Sequence, residues 1–288
     1  MHRRLVIDYG LRVDQETVRR VLKALDPEGV NRRSKHRLKR RQYRAKGPDY
    51  IWHLDGYDKL KPFGFCIHGT IDGYSRRILW LKVGVTNNDP YVIATYFINY
   101  VYKHGNRATV IRGDCGSEHT HIAQIQRYLR ADHGDSLSYE KSFLYGRSVS
   151  NQRIEAWWSF LRKTEKNWWM NFFKDLRDQG QYCDNDTVQV ECLKFCFMQL
   201  IQDELDRVSM HWNLHRIRPC INQETPPGRT DVLYYLPELN DFNRRCRKEV
   251  CLDDVKDILH VLQNHDNPSV TLTLVSRNPS VTITLVSR

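Results

Sequence analysis

The sequence predicts a mixed α/β fold on three observations. Three runs rich in aromatic and β-branched residues follow one another across residues 50–85. Segments of helical period then alternate with short apolar runs as far as residue 173. A hydrophobic content of 40% over 288 residues is enough for a real core. The order strand, strand, strand, helix, strand, helix, strand, helix describes a mixed sheet flanked by helices.

Taken in order, residues 5–30 read as helical. Asp14-Gln15-Glu16-Thr17 precedes Val18, Val21, Leu22 and Leu25 at helical spacing, and Asp26-Pro27-Glu28-Gly29 reads as a stop. Arg19 and Arg20 lie on the polar side. The stretch 1–30 therefore suits either a partial helix-turn-helix, with its first helices missing, or a plain amphipathic helix. Residues 31–47 form a basic linker. Positions 31–46 hold nine Lys/Arg and no acid, a pattern suited to nucleic-acid contact or nuclear import, though a merely soluble linker has the same look.

A core is expected over residues 48–228. Residues 50–55, 63–72 and 77–85 read as strands, with Gly73-Tyr74-Ser75-Arg76 as the turn between the last two. Residues 89–104 read as a helix opened by Asp89-Pro90, with Val92, Ile93, Tyr96, Phe97, Tyr100 and Val101 at its core spacing. Residues 108–112 form a fourth strand and 118–129 a helix, in which Glu118 reads as a cap. Residues 131–150 are loop-rich, with a short strand near 139–143. Residues 151–173 read as one helix with Ile154, Trp157, Trp158 and Leu161 along one side. A long helix follows at 187–215, with Val190, Leu193, Phe197, Leu200, Ile201 and Leu205 at core spacing. Short helices are expected over 229–266. The tail, 267–288, is an eleven-residue motif written twice, too few copies for a solenoid, and no function is assigned to it.

Charge and cysteines narrow the partners. The net charge of +11 and a pI near 9.3 favour a polyanionic partner. The eight cysteines (Cys66, Cys115, Cys183, Cys192, Cys196, Cys220, Cys246 and Cys251) form no Cys-x-x-Cys pair and follow no signal peptide, which suits a reduced, intracellular protein. His211 and His215 with Cys220 look superficially like half a zinc site, but lack the paired cysteines. No run is long and apolar enough to span a membrane.

Three carboxylates carry the chemistry. Asp55 and Asp114 end predicted strands and Glu155 opens a predicted helix. As residues alone, the two aspartates also suit turns and Glu155 a solvated helix face. Oxygen ligands suit Mg²⁺ or Mn²⁺, and a pair of such ions can clamp the attacking and leaving oxygens of a phosphoryl transfer. Asp72 reads as a turn builder that bonds backbone groups near Ser75 and Arg76. Arg147, Gln152, Arg153, Arg162 and Lys163 are candidate phosphate contacts or ordinary surface charge. Trp157, Trp158, Trp168 and Trp169 read as core or inter-helix anchors.

Four motifs in order, Trp52-His53-Leu54-Asp55, Ile71-Asp72-Gly73-Tyr74-Ser75-Arg76, Arg112-Gly113-Asp114-Cys115-Gly116-Ser117-Glu118 and Asn151-Gln152-Arg153-Ile154-Glu155, resemble the catalytic core of retroviral-type integrases and related transposases over residues 48–225. The resemblance implies a ribonuclease-H-like fold, with an N-terminal helical segment and a helical C-terminal extension. It implies Asp55, Asp114 and Glu155 as a catalytic, two-metal triad for Mg²⁺ or Mn²⁺, with Asp55 bridging the ions. It also implies DNA as substrate, strand cleavage and joining, and a homo-oligomer; the basic arm together with that substrate suggests a nuclear location. Residues 11–33 are similar to the end of a helix-turn-helix that precedes the core in some relatives.

Three departures stand out. The 40 residues between Asp114 and Glu155 exceed the retroviral interval, Cys115 stands where Asn is common, and no zinc-binding His/Cys pattern precedes the core. Two other readings remain at this stage. One is a domesticated DNA- or chromatin-binding protein that keeps the fold without catalysis. The other is a nuclease that only hydrolyses.

Overall fold

A computed structural model describes residues 2–35, 45–147, 150–164, 168–219, 226–240, 246–263, 271–275 and 282–286. They belong to two compact units, Met1–Gln42 and Tyr43–Arg288.

Among its described residues the first unit holds three helices, α1 (His2–Tyr9), α2 (Gln15–Leu25) and α3 (Pro27–Lys35). Asp14 caps α2, its Oδ1 accepting from the backbone N–H groups of Glu16 and Thr17 at 2.8 Å each. The single helix expected over 5–30 is thus three. Asp26-Pro27 ends α2 and also starts α3, because Pro27 fits a first helical turn and Asp26 Oδ1 accepts the Gly29 N–H at 2.7 Å. The expected stretch thus divides, α1 taking in its first residues and preceding α2 as a separate helix. Of the basic linker, residues 31–35 close α3, while 36–44 lie outside the described residues.

The second unit is built on a five-stranded sheet. Its strands are β1 (Ile51–Tyr57), β2 (Cys66–Asp72), β3 (Ile78–Gly84), β5 (Val110–Gly113) and β6 (Phe143–Tyr145), with the two-residue β4 (Asn106–Arg107) outside it. The order is β3-β2-β1-β5-β6. β1 pairs antiparallel with β2 and parallel with β5, and β5 pairs parallel with β6. This is the ribonuclease-H-like mixed sheet that the motifs implied. The second strand starts later than its apolar run, because residues 61–63 form a 3-10 turn that Gly64 closes at a φ of 85°.

Strand alternation sorts the side chains onto two faces. Trp52 and Leu54 point into one core, shared with α4 (Pro90–His104) and α5 (Thr120–Leu129). The other face packs Ile67, Ile71, Ile78 and Val83 against α6 (Gln152–Thr164), α7 (Trp168–Asp178) and α8 (Thr187–Leu214). The helix expected over 151–173 is thus α6 and the start of α7. Trp157 and Trp158 are buried as anticipated, and Trp169 packs at the edge of the second core. Trp168, by contrast, is 54% exposed and stacks on Phe172 of its own helix, outside the core.

The remaining elements are β7 (Arg216–Ile217), β8 (Gly228–Arg229), α9 (Thr230–Tyr235), β9 (Lys248–Glu249), α10 (Leu252–Gln263), β10 (Thr271–Val275) and β11 (Thr282–Val286). The helical extension is no appendage. Val255, Ile258, Leu259 and Leu262 of α10 enter the first core, and β9 pairs with β4. The two copies of the tail motif pair with each other as antiparallel β10 and β11. No described helix is long and apolar enough to cross a membrane.

The β2–β3 turn is held by Asp72. Its Oδ2 accepts from the Ser75 hydroxyl and N–H, both at 2.7 Å, and from the Tyr74 N–H at 3.1 Å, while Oδ1 accepts the Asp49 N–H at 2.9 Å. Asp49 lies beside it and accepts from Trp52 Nε1 and the Tyr234 hydroxyl. Burial and the charge of Asp72 raise the Asp49 pKa above its ordinary 3.8. An acid raised on folding contributes stability below its unfolded pKa and loses it as pH rises through the folded one. The Asp49→Asn protein should therefore gain stability over the wild type as pH climbs from 4 toward neutrality. Paired thermal melts across that range check this. A melting-temperature difference independent of pH would contradict it.

Candidate active site

The site forms where the parallel strands end. Ile51 pairs with Val110, Trp52 with Ile111 and His53 with Arg112, so two residues further along β1 lies Asp55, beside the loop that opens with Asp114. Parallel strands share a direction, so their C-terminal ends meet at one edge of the sheet. Asp55 follows His53 by two positions and shares its face, the α6 face. Glu155 sits in the first turn of α6.

Asn151 anchors that helix. It is buried, its Nδ2 donates to the Leu54 carbonyl at 2.7 Å, and its Oδ1 accepts from His53 Nδ1 at 2.7 Å. Both partners belong to β1, so one side chain pins the start of α6 to the strand that carries Asp55. Burial drives the His53 pKa down to about 3 and keeps the ring neutral, against the smaller opposite pull of its bond to the Asn151 oxygen, which requires the proton on Nδ1. Arg112 and Arg153 tighten the same joint: Arg112 donates to the Ser150 carbonyl at 3.2 Å, and Arg153 Nε donates to the Gly73 carbonyl at 3.1 Å.

The carboxylates sense one another. The Asp55 pKa is pushed up to about 7, by burial first, then by the negative charges of Glu155 and Asp114. Trp158, on α6, donates its indole N–H to Asp55 Oδ2 at 3.0 Å, which partly offsets the rise. Asp114 behaves oppositely. His119 beside it holds its carboxyl below the usual range, against a smaller opposing effect of burial. Carboxylates crowded until one is reluctant to ionise form a donor set suited to a divalent cation.

A histidine that the sequence reading missed completes the picture. His119 is fully buried, with Nδ1 3.0 Å from Asp114 Oδ1 and 3.8 Å from Glu118 Oε1. Ligand atoms of Asp114, Glu118 and His119 all lie within 4.8 Å of one another. Glu118 does not cap α5. That helix has His119 at its N-cap and no side-chain cap bond, so Glu118 faces the Asp114 loop instead. The signal was available as a run of Asp, Glu and His within six residues. Without the loop geometry it read as a helix start.

The candidate DNA contacts are spread out. Arg147 is exposed and follows Gly146, whose N–H donates to the Gly113 carbonyl, so it flanks the Asp114 loop. Gln152 and Arg153 lie in the first turn of α6, half-buried, with Arg153 Nε already engaged. Arg162 and Lys163 are exposed about two turns beyond Glu155. Arg162 borders an apolar cavity of about 60 Å³ with Tyr57, Leu161, Trp168 and Trp169. Cys115 is exposed beside Asp114. His211 and His215 gather with no third ligand among the described residues, and Cys220 lies outside them.

A family model described as integrase core domain matches residues 42–232. No curated protein matches the sequence.

The Asn151 joint makes a stability prediction. Asn151→Ala removes two buried hydrogen bonds and strands the His53 N–H and the Leu54 carbonyl. It should cost about 2–4 kcal/mol, read as a lower denaturant midpoint at unchanged slope. A loss within experimental error would mean that α6 is held by its apolar face alone.

Proposed function

This chain belongs to the integrase core domain family, and from that premise we propose that it cleaves and joins DNA strands by metal-dependent phosphodiester transfer at Asp55, Asp114 and Glu155. The observation that carries the reading is that strand register brings Asp55 and the Asp114 loop to one sheet edge, where Asn151 and Trp158 fasten the helix that bears Glu155. Burial and the charges of the other two raise the Asp55 pKa accordingly. Two Mg²⁺ or Mn²⁺ ions, when bound, would neutralise charge at the phosphorus and activate the attacking water or DNA 3′-hydroxyl.

The side chains divide the remaining work. Asp55, loaded by the charges of Glu155 and Asp114, would hold the cations together with them, and must give up its proton before it can serve as a ligand. Trp158 fixes which Asp55 oxygen faces the helix. Glu155 is carried by the first turn of a helix that Asn151 pins to the Asp55 strand. Arg147, Gln152, Arg153, Arg162 and Lys163 would run beside the carboxylates as a phosphate track, positioning DNA without reading its sequence. The net charge of +11 supports a polyanionic substrate. The basic block at 31–46 supports a nuclear location, and joining two DNA ends supports a homo-oligomer.

The test is cleavage and joining of labelled duplex DNA with Mn²⁺ or Mg²⁺. Asp114→Asn and Glu155→Gln should lower product formation by roughly a thousandfold while DNA binding persists. Joined products would specify strand transfer. Folded wild-type protein that binds DNA but yields no product would make this a binding module that has kept the fold. In the same protein, replacing both Arg162 and Lys163 by Ala should reduce the salt dependence of DNA binding by about one unit of slope per lost phosphate contact.

A further inference from the structure

We infer that Asp114, Glu118 and His119 form a cation position of mixed oxygen and nitrogen ligands, one that takes a first-row divalent transition cation in preference to Mg²⁺. The position shares Asp114 with the proposed active site, and to that extent rests on the same reading. Its distinguishing donor, the imidazole, lies outside the three carboxylates.

The geometry is specific. Nδ1 of His119 and Oδ1 of Asp114 stand 3.0 Å apart, and Glu118 Oε1 is 3.8 Å from the same nitrogen. Two ligands about 2.1 Å from an ion and at right angles to each other are separated by about 3.0 Å. The nitrogen and the oxygen are thus spaced as neighbouring ligands of one octahedral ion. Neither ring nitrogen of His119 makes an aligned hydrogen bond among the described residues, although the side chain is fully buried. A buried imidazole usually settles into a hydrogen bond. This one holds Nδ1 within ion-pair reach of two carboxylates without an aligned bond to either.

The surroundings hold the ring in that pose. Gly113 is what lets it approach, since a Cβ there would lie 2.9 Å from Nδ1. The ring of His68 closes the other side, with centroids 5.9 Å apart. Gly116 in turn leaves room for Glu118 to fold back, because a Cβ at that position would lie 2.1 Å from Glu118 Oε1. The carboxylates remain partly open, with side-chain exposures of 33% for Asp114 and 21% for Glu118, so an ion can enter from solvent while the imidazole closes the inner side.

The donor set decides the class of ion. Mg²⁺ keeps oxygen ligands and water, whereas imidazole suits first-row transition cations. The nitrogen therefore shifts preference away from Mg²⁺, with Mn²⁺ as the convenient paramagnetic probe.

The experiment is pulsed electron paramagnetic resonance of Mn²⁺ bound to untagged full-length protein, with Mn²⁺ and Mg²⁺ affinities measured alongside. The wild type should show nitrogen modulation, and growth on ¹⁵N-histidine should convert it to the ¹⁵N pattern, a readout that needs no variant. His119→Gln should abolish the modulation and weaken Mn²⁺ binding about tenfold, leaving Mg²⁺ binding unchanged. Mn²⁺ bound without nitrogen modulation in the wild type, or modulation that survives in His119→Gln, overturns the inference. Metal-dependent DNA cleavage without nitrogen modulation would sink this inference and spare the proposed function. Nitrogen modulation in a protein that never cleaves DNA would do the reverse.

Discussion

The parallel pairing of β1 with β5 is the constraint on which the rest depends. Its register, from Ile51–Val110 to His53–Arg112, sets the strand ends level. Asp55 and the Asp114 loop therefore reach the same edge of the sheet. A slip of one residue would send Asp55 to the opposite face, toward the α4 core, and away from α6. Parallel partners cannot be joined by a tight turn, so β2, β3 and α4 intervene. The long excursion between the two aspartates is thus a product of the geometry that brings them together.

Onto this frame α6 is fastened by polar groups as well as by packing. Ile154, Trp157 and Leu161 bury its apolar side against the sheet, but apolar contact alone would tolerate rotation or sliding. Asn151 removes that freedom by bonding both His53 and the Leu54 carbonyl. The neutral His53 and the buried carboxamide satisfy each other, which is how a polar joint survives in the interior. Trp158 then spans the gap, packed on one side and bonded to Asp55 on the other.

The site stands apart electrostatically from the rest of the chain. The protein as a whole is strongly cationic, yet its sheet edge gathers Asp55, Asp114, Glu118 and Glu155. Like charges placed together oppose folding unless something relieves them, and such local conflict is characteristic of functional sites. A divalent cation would relieve it, and basic surroundings would draw in a polyanion by long-range attraction. The buried Asp49–Asp72 pair shows the contrasting, structural use of carboxylates: four donors converge on Asp72 to hold a turn.

Elements with a strong local signal were legible in the sequence. The period-two runs of β1 to β3, the Asp89-Pro90 start of α4 and the apolar spacing of α8 each needed only neighbours in the chain. Asp72 as a turn builder was legible for the same reason. The proposal that three carboxylates act together rests on the order of four motifs. Tertiary structure alone decided the rest. Pro27 opens α3 instead of ending the segment, because its locked φ serves a helix start as well as a stop. The extension at 229–266 joins the main core because α4 has an apolar flank left to cover. Glu118 and His119 leave the role of helix cap because the loop after β5 folds them back onto Asp114. Local sequence determines what a segment can form. Which side chains meet across 40 or more intervening residues is settled by strand register and helix packing, and these exist only in the folded chain.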